Sequence, residues 1–327
     1  MADLLQTLEW NDEDYSKAAK QWGSQFLMMP IIGAEKTLKY MRGLPGIRYK
    51  YALPSIEGHA QFAPYRSDRK SADTTNIIFR ELETHLGNLR FDFEPNLYIH
   101  TVLGKTASSL GDGQANSLAL KHVIAASMAD TSEQLNNVLF TAKRNPNGDT
   151  TADLFDGWGT ILAKELEAGN ISVEKGNKFE AGKVTSSNAV DIFKEIERSC
   201  HPILRDTEKF IFCDPIFADM YNDAYLLTHA GISYNTKFNQ AFVEGSNGKT
   251  TIVPLSNLAN TRIMIVTPGW NMLYGYDVSG ERTRFEIKRY EPWVLTIAAA
   301  MFFGCQFYSI DQRFLKIAST QNEIILS

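Results

Sequence analysis

The stretch that decides the fold is DGQANSLALKHVIAASMADTSEQLNNVLFTAKR, residues 112–144. Leu120, Val123, Ile124, Met128, Leu135, Val138 and Leu139 recur at steps of three, four and seven, which puts them on one stripe of an α-helix. Asp112 suits the N-cap, Lys143 and Arg144 complement the C-terminal dipole, and Asn145-Pro-Asn-Gly stops the pattern. About thirty helical residues at about 1.5 Å each make a rod of roughly 45 Å. Average helices have only about 11–12 residues, so this one is expected to be the spine on which the rest is arranged.

The sequence on either side divides unevenly. Before the spine, Asp12–Trp22 and Ala34–Met41 are helical candidates, the second stopped by Arg42-Gly-Leu-Pro45, and neither carries enough apolar residues for a core of its own. Ile47–Leu53 is β-prone and is interrupted by Pro54 and Gly58. Ser55–Asn76 is polar, with Arg66, Asp68, Arg69, Lys70 and Asp73 crowded together. Strand character returns at Ile77-Ile-Phe79, Gly87-Asn88 gives a turn signal, and Leu89, Phe91 and Phe93 then alternate with Arg90 and Asp92. These features predict a long β-hairpin with a charged tip, and two strands bury too little to stand alone.

After the spine, Thr151–Glu167 is a second amphipathic helix, and Asn170–Ser187 is an exposed loop or weak ribbon that marks a boundary. Asn188 caps a helix ending before Pro202. Lys209–Cys213 is a strand, and Asp214-Pro215 opens another helix. β character then dominates through Thr250–Pro254, Arg262–Val266, Met272–Tyr276, Arg284–Ile310 and Arg313–Ala318. The expected class is α+β.

Composition excludes several classes. The chain has 327 residues, 44% hydrophobic and 22% charged, close to ordinary globular usage and unlike a disordered or fibrous chain. With 33 Lys+Arg against 38 Asp+Glu the net charge is −5, which gives no basic nucleic-acid footprint. The cysteines, Cys200, Cys213 and Cys305, are too few for a disulfide framework. Met1-Ala-Asp-Leu-Leu-Gln lacks the basic and apolar segments of a signal peptide. The apolar run Trp293–Tyr308 is shorter than the roughly 18–20 residues of a membrane span and is interrupted by Gly304 and Gln306, so it is read as a strand buried on both faces.

The search for chemistry names no catalytic, cofactor-binding or metal-ligating residue. Asn247-Gly-Lys-Thr250 resembles the end of a phosphate loop, but Val243 stands where the first glycine belongs and a strand follows, so a hairpin turn is the better reading. Cys200 and His201 are neighbours and point apart, which favours a structural cysteine. The histidines, His59, His85, His100, His122, His201 and His229, form no i, i+4 pair and no zinc spacing with cysteine. Glu81/Glu83 and Glu165/Glu167 are spaced i, i+2; they share a face on a strand and diverge on a helix. The tryptophans, Trp10, Trp22, Trp158, Trp270 and Trp293, are scattered and are read as core and interface anchors.

Four stretches carry a resemblance: Gly113-Gln-Ala-Asn-Ser-Leu-Ala-Leu-Lys-His, Leu154-Phe-Asp-Gly-Trp-Gly-Thr-Ile-Leu, Phe210-Ile-Phe-Cys-Asp-Pro, and Trp293-Val-Leu-Thr-Ile with Phe307-Tyr-Ser-Ile-Asp. In this order they resemble the major capsid proteins of tailed bacteriophages (the Hong Kong 97-type fold), most nearly those of phages and prophages of gut bacteria, over roughly Gly46–Ala318. The resemblance implies an N-terminal arm at 1–44 and an extended β-hairpin loop at 45–95. It implies a peripheral domain at 96–187 and 278–327 containing the spine helix 112–144, and an axial domain at 188–277. The implied function is a non-enzymatic one, self-assembly into the hexamers and pentamers of an icosahedral shell around double-stranded DNA. Implied partners are further copies of the chain, a portal and the packaged DNA, bound non-specifically. No membrane is involved; the place is the virion capsid, after synthesis in a bacterial host's cytoplasm.

Many relatives begin with a long charged scaffolding segment. Only 1–44 precedes the hairpin here, so the expectation is a separate scaffolding protein or a chain already trimmed. Lys70 and Lys105 lie where some relatives crosslink Lys to Asn, but no motif marks an acceptor. An encapsulin-like shell, another phage structural protein and a soluble α+β hydrolase stand as alternatives.

Overall fold

A computed structural model describes residues 23, 25–58, 64–67, 75–94, 112–229, 241–278, 284–291 and 294–320. The candidate helix Asp12–Trp22, most of the charged tip, and the side chain of His122 lie outside these described residues.

A helix over 25–33, here α1, is followed by α2 (Glu35–Leu38) and by α3 (Asp112–Val138), the expected spine. Ile124, Met128, Leu135 and Leu139 of the stripe are buried. The helix ends at Val138 rather than at Arg144, and the reason is hydrogen bonding. The carbonyls of Leu139, Phe140 and Ala142 accept the backbone N–H groups of Trp158, Thr160 and Gly157 at 3.1, 3.2 and 2.8 Å. These come from the start of α4 (Trp158–Glu167), so orphan carbonyls at one helix end meet orphan donors at another. A side chain at Gly157 would collide with the Leu139 and Phe140 carbonyls. The predicted helix Thr151–Glu167 is therefore split, and only a 3-10 turn, Thr151–Asp153, precedes α4.

The central sheet has the order β1 (Arg42–Pro45), β9 (Met272–Asp277), β11 (Val294–Phe307), β10 (Arg284–Glu291), and β4 (His85–Phe93) lies on the other side of β11. β11 is the long apolar run, largely covered on both faces, as expected. Among the described residues no helix is long and apolar enough to cross a membrane. Phe155, Trp158, Phe303, Phe307 and Met272 join Leu135 and Leu139 in the main core. Ile31, Ala34, Leu38 and Met41 join it too, so this part of the N-terminal stretch packs on its own chain. The Arg42–Pro45 segment, expected as a helix stop, is strand β1, parallel to β9.

A second sheet has the order β5 (Lys178–Glu180), β12 (Lys316–Ser319), β8 (Ile263–Thr267), β6 (Lys209–Cys213), β7 (Thr250–Pro254). One face is covered by α5 (Ala189–Ser199), α6 (Pro202–Asp206) and α7 (Pro215–Thr228), around Phe193, Ile196, Leu204, Ile211 and Tyr221. Asp214 caps α7 as predicted, accepting from the Ile216 N–H at 2.9 Å ahead of Pro215 at N1.

β2 (Lys50–Gly58) and β3 (Thr75–Glu83) form a separate two-stranded ribbon. β2 runs through Pro54 to Gly58, because proline is tolerated on an edge strand. Gly87-Asn88 is not a turn: it lies inside β4, paired with Met301 and Ala300 of β11. The chain turns at Thr84, so Leu89, Phe91 and Phe93 belong to the central sheet and not to the ribbon.

Candidate assembly surface

The ribbon's root is built where three backbones cross. Gly275 of β9 faces Gly304 of β11 across their ladder. A side chain at Gly304 would overlap the backbone of Glu83 and Thr84, and one at Gly275 would press on Thr84 and Leu82. The two glycines leave a flat floor on which the β3–β4 corner rests, a close backbone approach of the kind that demands glycine. Thr84 then ties the corner to the incoming chain, its N–H donating to the Tyr49 carbonyl and its hydroxyl to that of Ile47 at 2.6 and 3.2 Å. Gly46 and Tyr49, with φ of 77° and 65°, turn the chain upward from β1; the left-handed region is costly for tyrosine. Ile47, Leu53, Leu82 and Leu273 close a small buried cluster beneath.

Polar clamps fix the root to the body. The Arg80 guanidinium donates to Glu165 of α4 at 2.7 Å, to Gln306 at 3.2 Å and to the Phe307 carbonyl at 3.2 Å. Arg80 and Glu165 are mostly buried, with side chains 15% and 17% exposed. The Tyr308 hydroxyl donates to the Pro54 carbonyl at 2.7 Å, the Gln306 amide to that of Glu81 at 2.8 Å, and Arg48 pairs with Asp277. Above this root the ribbon presents Tyr51 at 50% and Phe79 at 64% exposure. Among the described residues it pairs with no further strand. An anchored ribbon with bare aromatics is suited to being covered by another chain.

The carboxylates around the root are neutralised. Glu81 and Glu83, on one face of β3 as the spacing implied, both pair with Lys50, at 2.9 and 2.6 Å, which holds the Lys50 ammonium well above its usual range. Glu165 faces Arg80, and Asp156 faces Lys164 at 2.6 Å. His85 lines the same cleft, of about 380 Å³. Burial, reinforced by Arg144, lowers its pKa below the ordinary histidine value. Each of these carboxylates faces a cation, Glu81 and Glu83 sharing Lys50.

The other chemical candidates fall into structural places. Asn247 and Gly248 have φ of 54° and 76°, a tight turn ahead of β7, as the hairpin reading expected. Cys200 is buried and its thiol is pushed up to about 12, mainly by burial and then by Glu197. The neighbouring His201 caps α6, its Nδ1 accepting from the Ile203 N–H at 3.2 Å. Burial also pushes Cys213 up to about 12, and Cys305 well above a free thiol. Trp158 is fully buried against Phe140, as a core anchor should be. Among the described residues no group of three or more His, Cys, Asp and Glu is placed to hold a metal ion. The sequence reading missed Arg80, Gly275, Gln306 and Tyr308; a glycine inside an apolar strand pattern was their one available signal.

No family model matches the chain and no curated protein matches it in sequence. Solved structures do match. A chain of the satellite phage P4 procapsid, which includes the size determination (Sid) protein, superposes with a TM-score of 0.54 at 14% identity, covering 90% of each chain. The capsid asymmetric unit of cyanophage A-1(L) gives 0.54 at 11% identity, covering 87% of this chain and 92% of that one. The chain has a Hong Kong 97-type capsid fold. The holo-SrpI encapsulin complex of Synechococcus elongatus PCC 7942 shares this fold, with a TM-score of 0.50 at 9% identity over 86% of each chain. The β2–β3 ribbon is a separate two-stranded sheet, and the second sheet packs one face under α5–α7 and lends Phe212, Ile265 and Ile317 on the other to the main core.

Proposed function

We propose that the chain is a major capsid protein whose copies assemble into hexamers and pentamers and close an icosahedral shell around double-stranded DNA. The observation that carries this reading is the ribbon: nine-residue strands anchored by Arg80, Tyr308 and the Gly275–Gly304 floor, yet bare along Tyr51 and Phe79. Two strands alone are marginal in water, and a permanent interface of about 2,000 Å² or more supplies what they lack. In this reading 1–44 is the arm, 45–95 the extended loop, 96–187 with 278–327 the peripheral domain, and 188–277 the axial domain. A separate scaffolding protein, a portal and non-specifically held DNA are the further partners, the chain is structural rather than enzymatic, and its place is the virion.

The likeness to the SrpI encapsulin supports a second reading, a shell that encloses protein. One preparation separates the two. The purified chain, run on size exclusion with light scattering and viewed by negative stain, is expected to give capsomers or closed particles. Particles recovered from infected or induced cells are expected to contain DNA. A monomer at all concentrations contradicts both readings, and particles filled with a protein cargo favour the second.

A further inference from the structure

Two stretches, Asn145-Pro-Asn-Gly148 and Asn247-Gly-Lys-Thr250, carry the same reactive pair, asparagine followed by glycine. The chemistry of that pair needs no reagent but water. The glycine amide nitrogen, once its proton has gone to solvent, attacks the asparagine Cγ. A C–N bond forms, the Cγ–Nδ2 bond breaks, and ammonia leaves, which closes a five-membered imide. Water then opens the imide at either carbonyl. One opening gives aspartate, and the other gives isoaspartate, in which the main chain runs through Cγ. Glycine permits the attack because it has no Cβ to hinder it and its backbone rotates easily.

The fold treats the two pairs differently. At Asn147 the reacting nitrogen is held: the Gly148 N–H donates to the Asn145 carbonyl at 3.1 Å, and the Asn147 N–H to Asn145 Oδ1 at 3.2 Å. A Cβ at Gly148 would fall 2.2 Å from the Asp153 carboxyl carbon, so this backbone lies against a carboxylate, which the Thr150 N–H fixes in place at 3.1 Å. A negative charge so close opposes loss of the amide proton. At Asn247 the nitrogen is open. Asn247 and Gly248 are both exposed, and nothing lies within 4 Å of a Cβ at Gly248. Among the described residues the Gly248 N–H has no acceptor. The turn is closed by the Lys249 N–H donating to the Ser246 carbonyl at 3.1 Å, and the reacting nitrogen lies outside that bond. Lys249 follows this pair where Asp149 follows the other, a cation in place of an anion.

We propose that Asn247 is a self-modification site, converting to aspartate and isoaspartate in the native protein while Asn147 stays intact. The product is felt inward. The Lys249 carbonyl accepts the Lys209 N–H at 2.9 Å, and the next residue, Thr250, donates its hydroxyl to Glu197, the partner of buried Lys209. Isoaspartate lengthens the backbone by a methylene just ahead of that group. Either product adds a negative charge to the chain's −5 and sets a second carboxylate near Lys249, which already pairs with Asp206 at 3.3 Å. The converted fraction rises with the age of the molecule.

The test is peptide mapping by mass spectrometry of the full chain held in mildly alkaline buffer, with an isoaspartate-specific methyltransferase as a second readout. Asn247 is expected to convert at least about fivefold faster than Asn147, the factor that one hydrogen bond held on the reacting nitrogen is worth. In urea both pairs are released, and the difference should largely vanish. N247Q should abolish the modified peptide. Aged wild type should unfold at lower urea than fresh protein, while aged N247Q keeps its midpoint. Asn147 converting as fast as Asn247 in the folded chain, or a preference for Asn247 that is as large in urea, overturns the proposal. So does a native protein in which neither pair converts while urea releases both. A midpoint that falls equally in aged N247Q overturns the inward coupling.

Discussion

Gly304→Ala tests the crossing at the ribbon root with a single methyl group. Strand β11 passes beneath the β3–β4 corner so closely that a Cβ at 304 overlaps the Glu83 carbonyl and presses on the Thr84 backbone. Neither is the far end of a flexible side chain, so the corner has to rise. Overpacking of this kind costs about 1–3 kcal/mol. Alanine restricts the unfolded chain more than glycine, which returns about 0.4–1 kcal/mol. The net expectation is a loss of roughly 1–2 kcal/mol. Gly275→Ala is the internal control, because its Cβ would meet the side-chain methyls of Thr84 and Leu82, which shift more easily, and it should cost less. Urea unfolding of the monomer measures both, and hydrogen exchange localises the change. The Thr84 amide, bonded to the Tyr49 carbonyl, should lose protection in G304A while α5 and α7 keep theirs. A G304A protein within about 0.5 kcal/mol of wild type, with Thr84 still protected, would refute the reasoning.

Lys209 and Glu197 are buried together at 2.9 Å, and Thr250 also donates to Glu197. Lys209→Met alone should therefore cost about 3–5 kcal/mol, and Lys209→Met with Glu197→Leu should recover most of it, as read by urea midpoints. The three cysteines are buried and their thiols raised, so the native protein at pH 8 should not react with an aromatic disulfide reagent, whereas unfolded protein should release a colour change for all three. His85 has a pKa lowered first by burial and then by Arg144, so the unfolded state binds its proton more readily. Stability attributable to His85 is then present above the ordinary histidine value and is lost as pH falls through its lower folded value. His85→Gln should flatten the stability–pH curve in that range, and an unchanged curve would remove His85 as the cause.

Much of the architecture was legible because long elements carry their own periodicity. The stripe from Ile124 to Leu139 and the apolar run of β11 each repeat a pattern over several turns or residues, and both appear where expected. The failures have physical causes. The spine's end at Val138 depends on donors from Gly157 and Trp158, and no local signal announces a partner so far along the chain. Gly87-Asn88 has the residues of a turn, but pairing with β11 outweighs local preference. At the assembly surface the bare ribbon could be anticipated, because alternating residues with no core behind them require a neighbour. Its clamps could not, since Arg80 and Glu165, or Tyr308 and Pro54, lie far apart in sequence and are brought together only by the crossing strands.

In a shell protein the β2–β3 ribbon exists for another copy of the chain. Replacing Ser55–Asn76 by a short Gly-Ser turn removes the strand pairing beyond Pro54 and Phe79 and leaves the buried cluster of Ile47, Leu53, Leu82 and Leu273 intact. Light scattering on size exclusion, beside a thermal melt, measures the consequence. The expected product is a monomer that melts within a few degrees of wild-type monomer and forms no particles at concentrations where wild type does. A truncated chain that still closes shells, or one that no longer folds as a monomer, would contradict it.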